Sequence, residues 1–268
     1  MNEHHDINKR WWNEVTPVHT TSEFYDVDGF IKGRNTLGSV ERDAVGPVDD
    51  KKFLHMQCHF GMDTLSWARL GATVTGVDFS SEAVAKAREL AEATGLDDRA
   101  RFVESDITAV GKLDDAPYDV IFTSFGTIVW LKSLEGWAET IASNLAGDGF
   151  FYFLDSHPTA MLFDEESAEP KIIYDYFHSD DPNFEEAGSA DYADWEYRIQ
   201  SEARSFNWGL ADIFAALESK GLTICEVREY PFGAWRHFPD MTKADDGYWY
   251  RDTNEKALPL LLGFKATW

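Results

Sequence analysis

Residues 52–64 read Lys-Phe-Leu-His-Met-Gln-Cys-His-Phe-Gly-Met-Asp-Thr, and residues 72–80 read Ala-Thr-Val-Thr-Gly-Val-Asp-Phe-Ser. The first stretch is a short apolar run that breaks at a polar turn. One glycine, Gly61, precedes a helical pattern from about Met62 to Leu70, which stops at Gly71. The second is a β-branched run closing on a carboxylate, Asp78. Ser80 or Ser81 can then cap a helix that reaches to Gly95. Strand, helix, strand and helix in such short order predict a parallel sheet, because parallel neighbours must be joined by a crossover.

The rhythm continues outward. Arg101–Glu104 and Tyr118–Thr123 read as third and fourth strands, and Phe150–Leu154 as a fifth. Before the fifth, Leu134, Trp137, Ile141 and Leu145 recur at helical spacing, and Gly147 is the expected helix end. Leu210, Ile213, Phe214 and Leu217 mark a later helix ended by Gly221, and residues 222–228 and 258–267 read as closing strands. The fold class is α/β, with helices on both faces of the sheet. Two segments fall outside the pattern: 1–50, polar and aromatic with no strand signal, and an acidic, aromatic insertion at about 158–205 within a domain covering 51–268.

Composition limits the partners. The chain has 268 residues with 48 acidic and 24 basic side chains, a formal net charge of -24. Its 44% hydrophobic and 15% aromatic content is enough for a core. Such a surface repels phosphate backbones, so neither nucleic acid nor an anionic membrane is expected as a partner. Cys58 and Cys225 lie far apart, without the spacing of a zinc site or a disulfide framework, so no metal is expected. No apolar run approaches membrane-spanning length, and the polar, acidic N-terminus is unlike a signal peptide, so the expected location is cytoplasmic.

In a parallel sheet, ligands bind beyond the carboxyl ends of the strands. The turn after the first strand offers Gly61 but no GxGxxG, which argues against a dinucleotide dehydrogenase. Asp78 at the second strand end can accept from both hydroxyls of a ribose. Asp106, with Ile107 beside it, can accept from an adenine amino group after the third. Two acids at successive strand ends favour an adenosine site.

With those residues in place, the sequence resembles the class I S-adenosylmethionine-dependent methyltransferases along most of its length. The resemblance rests on 54–64, Asp78, Asp106, Thr123-Ser-Phe-Gly126 and Leu145-Ala-Gly-Asp-Gly149. A closer likeness is to a subgroup whose cofactor loop reads Gln-Cys-His-Phe-Gly, with Trp11-Trp12, Gly126-Thr-Ile-Val-Trp130, Asp155-Ser-His-Pro158 and Ala234-Trp-Arg-His-Phe-Pro239. The resemblance implies a Rossmann-like seven-stranded, mostly parallel sheet with an antiparallel last strand. It also implies S-adenosyl-L-methionine as cofactor, held by Gln57, Cys58, His59, Gly61, Asp63, Thr64, Asp78, Phe79, Asp106, Ile107, Thr123, Ser124 and Phe125. Most of the family has an acid at position 55 and glycines at 57 and 59, where this chain has His55, Gln57 and His59.

The implied activity is methyl transfer to a small-molecule acceptor. Such an in-line displacement needs alignment and exclusion of water, and a base only where the acceptor must lose a proton. His157, after the fifth strand, is the first candidate base; His19 and His59 follow. The resemblance implies that 1–50 form a helical lid with Trp12, His19, Tyr25 and Phe30 over the pocket, and Trp130, Tyr174, Trp208 and Trp235 are expected on the acceptor side. Ser124-Phe-Gly-Thr127 is unlike the box of amino-group DNA methyltransferases. The competing readings are a non-catalytic binder of S-adenosylmethionine or S-adenosylhomocysteine and, further off, an NAD(P)-dependent oxidoreductase.

Overall fold

The computed structural model describes residues 3–165, 167, 171–251 and 257–268. Three helices come first, α1 (Glu3–Thr21), α2 (Val27–Ile31) and α3 (Ser39–Val45). The alternating core follows as β1 (Lys52–Met56), α4 (Met62–Arg69), β2 (Thr73–Asp78), α5 (Ser81–Thr94), β3 (Ala100–Glu104), β4 (Tyr118–Ser124), α6 (Glu135–Asn144) and β5 (Leu145–Ser156). The insertion carries β6 (Asn183–Glu185) and β7 (Ala203–Ser205). After it come α7 (Leu210–Glu218), β8 (Thr223–Tyr230), β9 (Phe232–Gly233), β10 (Thr242–Lys243), β11 (Trp249–Tyr250) and β12 (Leu261–Thr267).

The main sheet has seven strands in the order β3-β2-β1-β4-β5-β12-β8. β1 to β5 pair in parallel, and β12 runs antiparallel to both β5 and β8. The chain builds from the centre to one edge, then returns past β1 to lay down β4. That reversal opens a crevice beyond β1 and β4, where Met56 lies opposite Thr123.

Both faces of the sheet are covered. Leu54, Met56 and Ile121 pack with Trp137, Ile141 and Phe153 on one side, while Phe53 and Phe122 pack with Trp67 and Tyr152 on the other. Burial on both faces explains why these strands read as continuous apolar runs. Ser80 is the cap of α5, accepting a hydrogen bond from the Ala83 amide, and Gly95 closes that helix at φ 64°. A Cβ on Gly149 would sit 2.8 and 2.9 Å from the carbonyl oxygens of Asp119 and Tyr118, so only glycine lets β5 pass so close to β4.

Two details differ from the sequence reading. α6 stops at Asn144, and Gly147 lies inside β5, because Leu145 already pairs with Tyr118 across a register shift. Residues 232–250 form a small sheet, β10-β11-β9. Its two-residue strands are too short to produce a visible alternation. No helix among the described residues is long and apolar enough to cross a membrane.

Candidate functional site

The turn after β1 shapes the site. Gln57 and His59 have φ 56° and 50°, and Gly61 has φ 79°. The first two thus adopt a left-handed backbone that glycine reaches without strain, at about 1–3 kcal/mol for each side chain that must follow. Hydrogen bonds hold the turn there. The His59 amide donates to Asp78 Oδ2 (2.8 Å), and Gln57 Nε2 donates to the Thr127 carbonyl (2.9 Å). Across the crevice, Asp155 is only 1% exposed and accepts from the amides of Gly126, Thr127, Ile128 and Ser156. That single carboxylate fixes the loop after β4, including Phe125 at φ 26°.

Two hollows meet here. The smaller lies over the ends of β2 and β3, lined by Gln57, Asp78, Phe79, Asp106, Ile107, Trp130 and His5 among others. The larger, about 480 Å³, is lined by Trp12, Tyr25, His55, Cys58, His59, Gly61, Asp63, Ser124, Phe125, Trp130 and Trp235 among others. Gln57 and Trp130 line both.

The two strand-end acids are held differently. Asp78 Oδ1 and Oδ2 each accept one backbone N–H, from Ser80 and His59, and burial pushes the carboxyl up to about 6 against those bonds. Asp106 Oδ1 takes the amide and hydroxyl of Thr108, while His5 of α1 engages Oδ2. These bonds outweigh burial and lower its pKa. His5 is a neighbour that no local pattern signals, since it reaches the strand end from far along the chain. Lys9, which pairs with Glu104 at 2.6 Å, is another.

At position 55, where the resemblance implies an acid, the imidazole is buried between Thr64 Oγ1 (2.8 Å) and Ser124 Oγ (3.2 Å). Burial lowers its pKa to about 3, so the group is neutral. Asp63 lines the large cavity and accepts from Thr36 Oγ1. Thr64 and Thr123 are fully buried behind it.

Not every expected residue comes to the cavity. His157 accepts the Thr159 amide at Nδ1 (3.0 Å) and donates from Nε2 to Glu229 (2.8 Å). Its lone pair is already taken, it does not line either hollow, and it serves to tie β5 to β8. Phe30 is fully buried against Phe60, Met62 and Leu65, with the Arg69 guanidinium 4.1 Å from its ring centre. Trp208 stacks on His178 at 3.6 Å and donates to the Leu131 carbonyl. Tyr174 lines neither hollow. Phe30 and Trp208 are thus held by packing, whereas Tyr174 has its pKa raised by burial and by the neighbouring Glu185 and Glu165. His19 is fully buried behind His59, and the insertion supplies Asp191 and Tyr192 to the same wall. Among the described residues, no group of three or more His, Cys, Asp or Glu is placed to hold a metal ion.

The fold occurs in known proteins. Residues 53–149 match a family model described as a methyltransferase domain. An S-adenosylmethionine-dependent methyltransferase from Mesorhizobium loti superimposes with a TM-score of 0.61 at 18% identity, covering 88% of this chain and 99% of that one. The CcbJ methyltransferase from Streptomyces caelestis gives 0.60 at 14% identity, covering 96% and 97%. The fold is that of the class I methyltransferases. Among curated proteins, ribosomal RNA large subunit methyltransferase K/L from Pseudomonas paraeruginosa is 31% identical over 116 residues, 43% of this chain and 15% of that protein. The match thus spans less than a third of the length of such curated relatives. In this fold the hollow over β2 and β3 adjoins the larger cavity beyond β4 at Gln57 and Trp130.

Proposed function

We propose that the protein transfers the methyl group of S-adenosyl-L-methionine to a small-molecule acceptor. The observation that carries this reading is the pair of hollows meeting at Gln57 and Trp130, one over two carboxylates and one lined by aromatic rings. The residues present fit the cofactor. After its two backbone bonds, Asp78 keeps one lone pair on each oxygen, enough for two ribose hydroxyls. Asp106 Oδ2 keeps one lone pair beside His5 for an amino group. Gln57 Oε1 is buried without a partner at the junction, where it can accept from a ligand. Ile107 and Phe79 supply apolar walls.

When bound, the cofactor supplies an activated methyl group. The chain then has to bind, orient and keep water out. Asp155 fixes the loop that carries Phe125 and Gly126, and α1 covers the smaller hollow with His5 and the larger cavity with Trp11 and Trp12. The Gln57–Gly61 loop, with side chains where most relatives have glycine, supports placement in the Gln-Cys-His-Phe-Gly subgroup.

The match to ribosomal RNA methyltransferases raises RNA as an acceptor, but it covers only 15% to 27% of their length. A net charge of -24 argues against a polyanion, and a cavity of about 480 Å³ lined by aromatic rings suits a compact molecule. Calorimetry with S-adenosylmethionine should show micromolar or tighter binding, with none for NAD. Incubation with methyl-labelled cofactor and a metabolite extract should then label a small molecule. Tight binding with no product across broad extracts would favour the non-catalytic binder; label appearing only in RNA would overturn the acceptor class.

A further inference from the structure

The acceptor side of the large cavity has its own chemistry. Its lining carries Asp63, Glu165 and Glu185 against one cationic side chain, Arg34, which is paired with Asp26 at 3.1 Å. Asp63 is bonded to Thr36. Among the described residues, Glu185 receives no hydrogen bond and no cation, and Glu165 has only the His237 imidazole at 3.6 Å. Burial and the neighbouring Glu165 both raise the Glu185 pKa, the response of a carboxylate that lacks a counter-charge.

A second, independent group points the same way. Asp191 is fully buried and accepts from the amides of Ala193 and Asp194 and from His19 Nε2 at 2.9 Å. His19 therefore presents its Nδ1 lone pair to two neighbours, His59 Nε2 at 3.3 Å and the Tyr192 hydroxyl at 3.5 Å. Nδ1 of His59 has no partner among the described residues, on a ring that lines the cavity. Burial keeps this imidazole neutral, with its pKa well below the ordinary value. Around it stand the faces of Trp12, Tyr25, Trp130 and Trp235. Carboxylates without cations, an unpartnered imidazole nitrogen that can accept when Nε2 donates to His19, and π-faces are all complementary to one kind of ligand, a cation that carries N–H donors.

We propose that the acceptor is an organic amine that enters as its ammonium ion, held by Glu165, Glu185, Nδ1 of His59 and the aromatic walls, and that it gives one N–H proton to the Glu185 carboxylate so that the nitrogen lone pair is free to form the bond to the methyl carbon. This rests on the reading above for its reaction, but its binding chemistry can be tested without turnover. Three probes of one skeleton serve: phenethylamine, phenethyl alcohol and phenylacetate, titrated by calorimetry into the full chain with and without S-adenosylhomocysteine. The amine should bind at least about tenfold more tightly than the alcohol or the acid. In a Glu165→Gln/Glu185→Gln variant that preference should fall to within about threefold, while S-adenosylhomocysteine affinity stays unchanged. Equal binding of the three probes, no amine binding up to about 10 mM, or a preference that survives the double substitution would each overturn the proposal. Loss of S-adenosylhomocysteine binding in the wild-type chain would instead count against the methyltransferase reading and leave the probe series to judge the amine site.

Discussion

Asp78 has to work as a charged acceptor in surroundings that resist charge. Burial raises its carboxyl to about 6, and the Ser80 and His59 amides only partly offset that. In the folded chain the group stays protonated to a higher pH than the ordinary aspartate value near 3.9, so its contribution to stability falls as pH rises from about 4 to 6. His55 acts in the opposite direction. Its folded pKa of about 3 means that stability is lost as pH falls below its unfolded value of about 6.5. With the ribose held by Asp78 as proposed, cofactor affinity should follow its ionisation, since only a carboxylate can accept from two hydroxyls. Affinity for S-adenosylhomocysteine is expected to drop about tenfold between about pH 7 and pH 5, measured by calorimetry. A flat profile would remove Asp78 from cofactor recognition.

At the scale of elements, α1 is bound into the fold at several points. The fully buried Asn8 side chain bonds both the carbonyl and the amide of Arg204, each at 2.8 Å, so the helix completes the edge of β7. Asn13 reaches Ser80 at the start of α5, and Trp11 and Val15 pack on Ile199 and Ala203 of the insertion. The lid and the insertion therefore form one wall. Asn8→Ala leaves two backbone groups of Arg204 without their partner and should cost about 2 kcal/mol. The check is the chemical denaturation midpoint together with faster amide exchange in α1 and β7. An unchanged midpoint and unchanged exchange would mean that the helix is held by its apolar face alone.

For the whole molecule, the excess of negative charge opposes compaction. Added salt screens charges more than about 10 Å apart, so raising ionic strength from about 0.05 to 0.5 M should raise Tm by a few degrees. A Tm that falls with salt would show that the paired charges, such as Lys9–Glu104 and Arg251–Asp240, outweigh the repulsion. The acidity also has a local side. Asp78, Asp106 and Asp155 organise the carboxyl end of the parallel strands, whereas Glu165 and Glu185 give the larger cavity its sign.

The sequence by itself determined the alternating sheet, the turn after β1 and the acids at the ends of β2 and β3. Those features depend on residues close along the chain: β-branched runs, helical spacing, caps and glycines. Only the tertiary structure decided what covers them. His5 reaches Asp106, Asn8 reaches Arg204, and His19 reaches Asp191 across separations that carry no periodic signal. The same holds for His157. The strand-end rule placed it near the site, but its ring is committed to Thr159 and Glu229. The direction a side chain takes at a strand end is set by the neighbours that satisfy its polar atoms, and those neighbours come from distant parts of the chain.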